Sequence, residues 1–176
     1  MKSSIVMFIA TIGASSLMAT QPIQLSLVPN IALFDRTDSI EGLTLSIWGE
    51  NQQKALGLGL VNGSVGESAG LSIGILNYTE NYTGVQWGFA NYTQGDFLGW
   101  QVAGVNYVEG WVTGLQTGWV NYAGKLTGLQ LGFVNYAKAS ETGIQIGVIN
   151  LMPENAWFRE LPNELAPMMI FVNWHL

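Results

Sequence analysis

From residue 55 to residue 150, apolar and polar positions alternate with a period of two, and the alternation restarts at near-fixed intervals. In 129–136, Leu129, Leu131, Phe133 and Asn135 share one face, while Gln130, Gly132, Val134 and Tyr136 share the other. Val85, Trp87, Phe89 and Asn91 separate in the same way from Gln86, Gly88, Ala90 and Tyr92. Successive side chains of an extended chain point to opposite sides, so this is strand behaviour. The pattern predicts about ten strands, near 23–28, 43–48, 55–62, 71–78, 84–92, 99–107, 114–122, 128–136, 143–150 and 167–175. Short polar stretches separate them: Thr79-Glu80-Asn81, Gln94-Gly95-Asp96, Glu109-Gly110 and Gly124-Lys125. These are turn residues at hairpin-like lengths.

The strands are copies of one unit. Aligned on Asn62, Asn77, Asn91, Asn106, Asn121, Asn135 and Asn150, the copies are spaced by 15, 14, 15, 15, 14 and 15 residues. Segments around Leu25 and Leu45 are degenerate early copies, and the tail repeats the Val-Asn element at Asn173. Self-similarity at a short fixed period must be explained before any single residue is.

Two all-β architectures fit. The principal expectation is an antiparallel up-and-down β-barrel of about ten strands in an outer membrane. Strand cores carry no charge, and strands of this length, tilted, match the apolar band of a bilayer. The Leu/Phe face would meet lipid, and the Gly/Gln face would line a narrow lumen. The two longest connections, 29–41 and 151–166, would both fall on the outer side. Ile170, Val172, Trp174 and Leu176 alternate to the last residue, like the closing strand of such barrels, although Leu176 stands where an aromatic is usual. The tyrosines fit less well, since they share a face with Gln and Gly rather than forming a lipid-facing girdle. The alternative is a β-solenoid with one coil per repeat. In it the recurrent glycines Gly74, Gly88, Gly118, Gly132 and Gly147 become corners, and the Leu/Phe face becomes a dry core.

Composition narrows location more than activity. The chain has 176 residues, 22 of them Gly, with no Cys and one His. Lys and Arg total 6 against 12 Asp and Glu, a formal charge of −6. Only 10% of residues are charged, against about 25% in ordinary domains, and mean hydropathy is +0.26. A disulfide scaffold and a cysteine nucleophile are excluded, and the acidic balance argues against nucleic acid. Residues 1–20 have Lys2, a short apolar run from Ile5 to Ile12 and a small-residue stretch ending near Ala19. This is the layout of a secretory signal peptide. It leaves 21–176 as a single repeat domain and implies an exported protein, at the outer membrane or cell surface. Membrane lipid is the partner the barrel implies; nothing in the residues identifies a protein or glycan partner.

Candidate chemistry is sparse. Asp35, Asp38 and Glu41 cluster in the first long connection, and Glu154, Glu160 and Glu164 in the last. On one side of a barrel they would form an acidic outer patch able to offer oxygen ligands to Ca²⁺ or Mg²⁺. No spaced ligand loop accompanies them, so solvated loop charge is the simpler reading. Gln86, Gln101, Gln116, Gln130 and Gln145 form a column, as do the asparagines Asn77, Asn91, Asn106, Asn121, Asn135 and Asn150. Both read as structural amide ladders. His175 is a lone histidine beside the chain end, short of a zinc site. No nucleophile elbow or phosphate-binding glycine loop is present. Neither a catalytic residue nor a cofactor is expected.

The copies Gly84–Tyr92, Gly99–Tyr107, Gly114–Tyr122, Gly128–Tyr136 and Gly143–Asn150, with Val172-Asn173-Trp174 at the tail, resemble bacterial surface repeat-containing proteins. That group carries a leader, tandem G-L-Q-x-G-x-V-N-Y elements and a V-N-W tail. The resemblance covers most of the chain after the leader. It implies an envelope or surface location and no particular chemistry, so no site residue transfers from it.

Overall fold

A computed structural model describes residues 20–155 and 167–176. The leader predicted over 1–20 lies outside the described residues except for Thr20, as do Glu160 and Glu164. The described chain is all β: β1 Thr20–Val28, β2 Ile31–Ala32, β3 Ser39–Glu50, β4 Gln52–Ile73, β5 Leu76–Trp87, β6 Ala90–Thr93, β7 Phe97–Val102, β8 Val105–Thr117, β9 Val120–Leu151 and β10 Met168–His175.

The pairing decides between the two architectures. Successive copies pair in parallel, like residue on like: Asn62 on Asn77, Asn77 on Asn91, Asn91 on Asn106 and Asn106 on Asn121. Antiparallel hairpins would have set each copy against its neighbour in reverse. The barrel expectation is therefore corrected: the fold is a β-solenoid of stacked coils, about 15 residues each. The polar stretches predicted as hairpin turns are turns within coils. Changes of offset fall there, as between Ser64 and Glu67 and between Val108 and Trp111. The turns thus absorb the difference between 14- and 15-residue copies, and both arms of each coil stay in register.

Each coil has two arms joined by a bend. The chain bends at 74–75, 88–89, 103–104 and 118–119, inside several of the expected strands. Glycines stand at the bends for lack of space. A Cβ on Gly88 would come 2.9 Å from the Asn77 amide nitrogen, and one on Gly118 equally close to that of Asn106. A second glycine column, Gly84, Gly99, Gly114 and Gly128, has φ near +130 (133, 134, 131 and 134). L side chains rarely adopt that conformation, and a Cβ there would overlap the carbonyl of the coil below.

The bend reverses the expected side-chain parity. Phe133 and Val134 both lie outside, so Asn135 returns to the interior beside Gln130, and Tyr136 turns outward with Phe133. The interior is consequently polar near the bends. It becomes apolar only toward the turns, where Tyr82, Phe97, Val112 and Leu126 stack in one column. Val108, Ala123, Ala137 and Met152 complete this small core. Tyr82 and Phe97 lie with ring planes 3° apart and centroids 6.3 Å apart. Burial pushes the Tyr82 pKa up, and its hydroxyl has no hydrogen-bond partner among the described residues.

The ends differ from the middle. β2 turns back antiparallel on β1, and Gln24 holds the returning segment by bonds to Phe34 N and O at 3.0 and 2.9 Å. β10 lies antiparallel on the last coil, from Met168 opposite Leu151 to His175 opposite Gly143.

Candidate interaction surface

The amide columns account for the interior. The five glutamines are fully buried, and each after Gln86 donates to the glutamine of the coil before: Gln101 to Gln86 and Gln116 to Gln101 at 2.8 Å, Gln130 to Gln116 and Gln145 to Gln130 at 2.7 Å. The asparagines run the other way. Asn77, Asn91, Asn106, Asn121 and Asn135 each donate to the asparagine of the next coil at 2.8–2.9 Å, ending at Asn150. Second donor hydrogens bond backbone, as from Asn106 to Thr117 O at 3.0 Å and from Gln116 to Tyr122 O at 3.2 Å, or a hydroxyl, as from Gln101 to Thr93 at 3.3 Å. These bonds fix the orientation of each amide. The Gln column lines neither a lumen nor a pore. Asn62, Asn77 and Asn91 sit in glycosylation-type sequons but are buried.

With amides inside, the large apolar side chains lie outside. The solenoid alternative had placed the Leu/Phe face in a dry core, and the structure corrects this. Val85, Trp100 and Leu115 form one outward ladder, and Ile73, Trp87 and Val102 the next. At the bends stand Leu60, Ile75, Phe89, Gly104, Trp119 and Phe133, joined by backbone bonds such as Phe89 N to Ile75 O at 2.9 Å. Beyond the bend, Ala90, Val105 and Val120 form a fourth ladder. Trp119 and Phe133 are 64% and 60% exposed, far from the usual fate of such large apolar groups. A shallow groove at the C-terminal end is lined by Trp119, Phe133, Ile146, Val148 and Phe171.

Polar residues border this surface. Tyr92, Tyr107, Tyr122 and Tyr136 stack face to face, with centroids 5.8, 4.4 and 5.1 Å apart. Tyr92 donates to Glu109 at 2.7 Å, a bond to carboxylate that raises the Tyr92 pKa. Tyr78 accepts from Trp48 Nε1 at 2.8 Å and donates to Glu50 at 2.7 Å. Burial first, with Glu50 adding to it, pushes the Tyr78 pKa up to about 12.

Carboxylate and amide side chains of the turns bond the stack together. Glu80 accepts from Gly66 N at 2.7 Å, Asn81 Oδ1 from Asp96 N at 2.8 Å and Asp96 from Trp111 N at 2.8 Å. Lys125 lies 3.9 Å over the Trp111 ring. Sequence reasoning missed this role, for which the recurrence of Glu, Asn or Asp in the same turn was the available signal.

The described members of the two predicted acidic loops lie apart. Asp35, Asp38 and Glu41 belong to the N-terminal coils and Glu154 follows the last coil, at opposite ends of the stack. Glu41 pairs with Lys54 at 3.3 Å. Among the described residues, no three His, Cys, Asp or Glu side chains group so as to hold a metal ion. His175 Nδ1 lies 3.0 Å from Asn155 Oδ1 in the C-terminal cap. No described helix is long and apolar enough to cross a membrane, which says nothing of strands.

Compared with protein-family models, curated proteins and solved structures, the chain matches none of them.

Proposed function

We propose that this chain is an exported, surface-attached β-solenoid that works by docking through its outer apolar surface, not by catalysis. One observation carries this reading: uncharged apolar ladders run along the outside of the stack while amides fill the inside. Contiguous exposed apolar area of this kind marks interaction sites. The expected leader and the resemblance of the repeats to bacterial surface repeat-containing proteins support a location in the envelope. The regular spacing of the ladders supports an extended contact over a discrete ligand pocket.

Fractionation tests the proposal. The parent chain is expected in the envelope fraction. A variant with Trp119→Ser and Phe133→Ser, checked for parental strand content by circular dichroism, is expected to shift to the soluble fraction. Recovery of both proteins in the soluble fraction would contradict docking through this surface.

A further inference from the structure

The shape of the apolar surface identifies what it fits. The two arms of a coil face each other across a thin interior, since Gln116 on one arm bonds the carbonyl of Tyr122 on the other at 3.2 Å. Their outer surfaces therefore face away from each other. Trp87 lies on one arm, Trp119 and Phe133 at the bend, and Val105 on the other arm, all exposed. The apolar surface is a convex ridge with two flanks. A second copy laid flat against one flank would leave the other in water. A fluid apolar phase covers both.

Resting on the docking reading above, we propose that this ridge beds in the outer hydrocarbon layer of a lipid bilayer, with the stack lying along the membrane surface. The four outward ladders contain no charged residue from Leu43 to Ile149, and the charged residues of the repeats sit at the turns or beside the tyrosines. That distribution complements hydrocarbon on one edge and water on the other. The tyrosine stack marks the boundary, with an apolar ring on the ridge side and a hydroxyl that reaches Glu109 at Tyr92. Tyrosines favour that interfacial level. Tyr136 stands three extended residue steps from Phe133 at the bend, about 10 Å. Interfacial apolar faces sink about 5–10 Å, whereas crossing the hydrocarbon takes about 30 Å. The ridge therefore has the depth to lie in one leaflet and not to span the bilayer. Parallel ladders pair the backbone of the bedded arms, as an apolar medium requires.

The chain has no cysteine, so single labels are straightforward to place. Phe133→Cys on the ridge and Lys138→Cys at the turn edge would each carry an environment-sensitive fluorophore. The full exported chain would be mixed with phosphatidylcholine vesicles. The expected result is co-flotation, a blue shift at 133 and none at 138. A nitroxide near the glycerol end of the acyl chain should quench the 133 label more than one at the chain terminus. Stronger quenching by the terminal nitroxide would overturn the shallow placement. A 133 label that dries without vesicles, in a chain that sediments as a dimer and does not float, would overturn lipid as the occupant and leave the docking reading standing. A label wet under all conditions would overturn lipid as the occupant, and the fractionation above then decides the docking reading. Quenching of the native tryptophans by brominated lipid, with no substitution, separates failure to bind from failure of a variant to fold.

Discussion

Gln116 donates to Gln101 at 2.8 Å toward the N-terminal end of the stack, while Asn106 donates to Asn121 at 2.9 Å toward the C-terminal end. Two amide ladders of opposite direction thus share one interior. Each internal rung is both donor and acceptor, and each also bonds backbone or, at Gln101, the Thr93 hydroxyl. A buried polar core is tolerable only when its members are satisfied this fully. The amides hold the coils in register, and the apolar residues are left for the outside.

Removing an internal rung should be costly. Gln116→Met keeps the volume but strips Gln101 of its donor partner and leaves the Oε1 acceptor of that rung missing for Gln130. Leaving buried polar groups unpaired costs about 1–3 kcal/mol each. Gln145 ends the ladder, and its Oε1 has no partner among the described residues. Gln145→Met should therefore cost less than Gln116→Met. Urea midpoints of the two variants check this, and equal losses would contradict a ladder held by rung-to-rung bonds.

The glycine columns predict a contrast between two glycine-to-alanine changes. Gly114 has φ +131, and a Cβ there would overlap the Gly99 carbonyl. Gly114→Ala should prevent stable folding or shift the stack. Gly57 has ordinary φ, and its nearest neighbours to an added Cβ are Ser72 Oγ at 3.6 Å and Gln53 Cγ at 4.0 Å. Gly57→Ala should be neutral or stabilising by up to about 1 kcal/mol, through reduced freedom of the unfolded chain. Circular dichroism melts of the two variants provide the comparison.

Alkaline pH should weaken the stack through its tyrosines. Tyr78 titrates at about 12 in the fold against an ordinary 10.0. Its neutral form is favoured by folding, so this contribution is complete below pH 10 and is lost as pH rises through about 12. Tyr78→Phe cannot ionise and should lose less stability between pH 9 and pH 11.5. Urea midpoints at the two pH values test this; an equal loss in parent and variant would remove Tyr78 from the alkaline limb.

Much of this was legible in the sequence. Period-two alternation identified strands, the asparagine spacing matches the coil of the solenoid alternative, and Gln130 was set on the inner side in the barrel reading. The solenoid alternative also placed Gly88 and Gly118 at corners. What misled was parity. Read as one straight strand, 129–136 puts Asn135 with Leu131 and Tyr136 with Gln130. The bend places Phe133 and Val134 both outside and exchanges the partners. The adjacent apolar pair after Gly132 was the local sign of it. Pairing direction was not legible, because parallel and antiparallel neighbours expose the same alternating faces. A closed barrel would bring the first and last connections together, whereas the stack sets Asp35, Asp38 and Glu41 at one end and Glu154 at the other.

Pairing direction is therefore the point to measure. Thr83 and Leu98 are exposed and stand directly opposite each other on neighbouring coils. In an antiparallel barrel they would begin neighbouring strands that run in opposite senses, at opposite ends of the wall. Thr83→Cys with Leu98→Cys, spin-labelled in the cysteine-free chain, reports the distance by electron paramagnetic resonance. The solenoid predicts backbones about 5 Å apart and strong dipolar broadening. A separation above about 20 Å, the length of a six-residue strand, would contradict parallel coils.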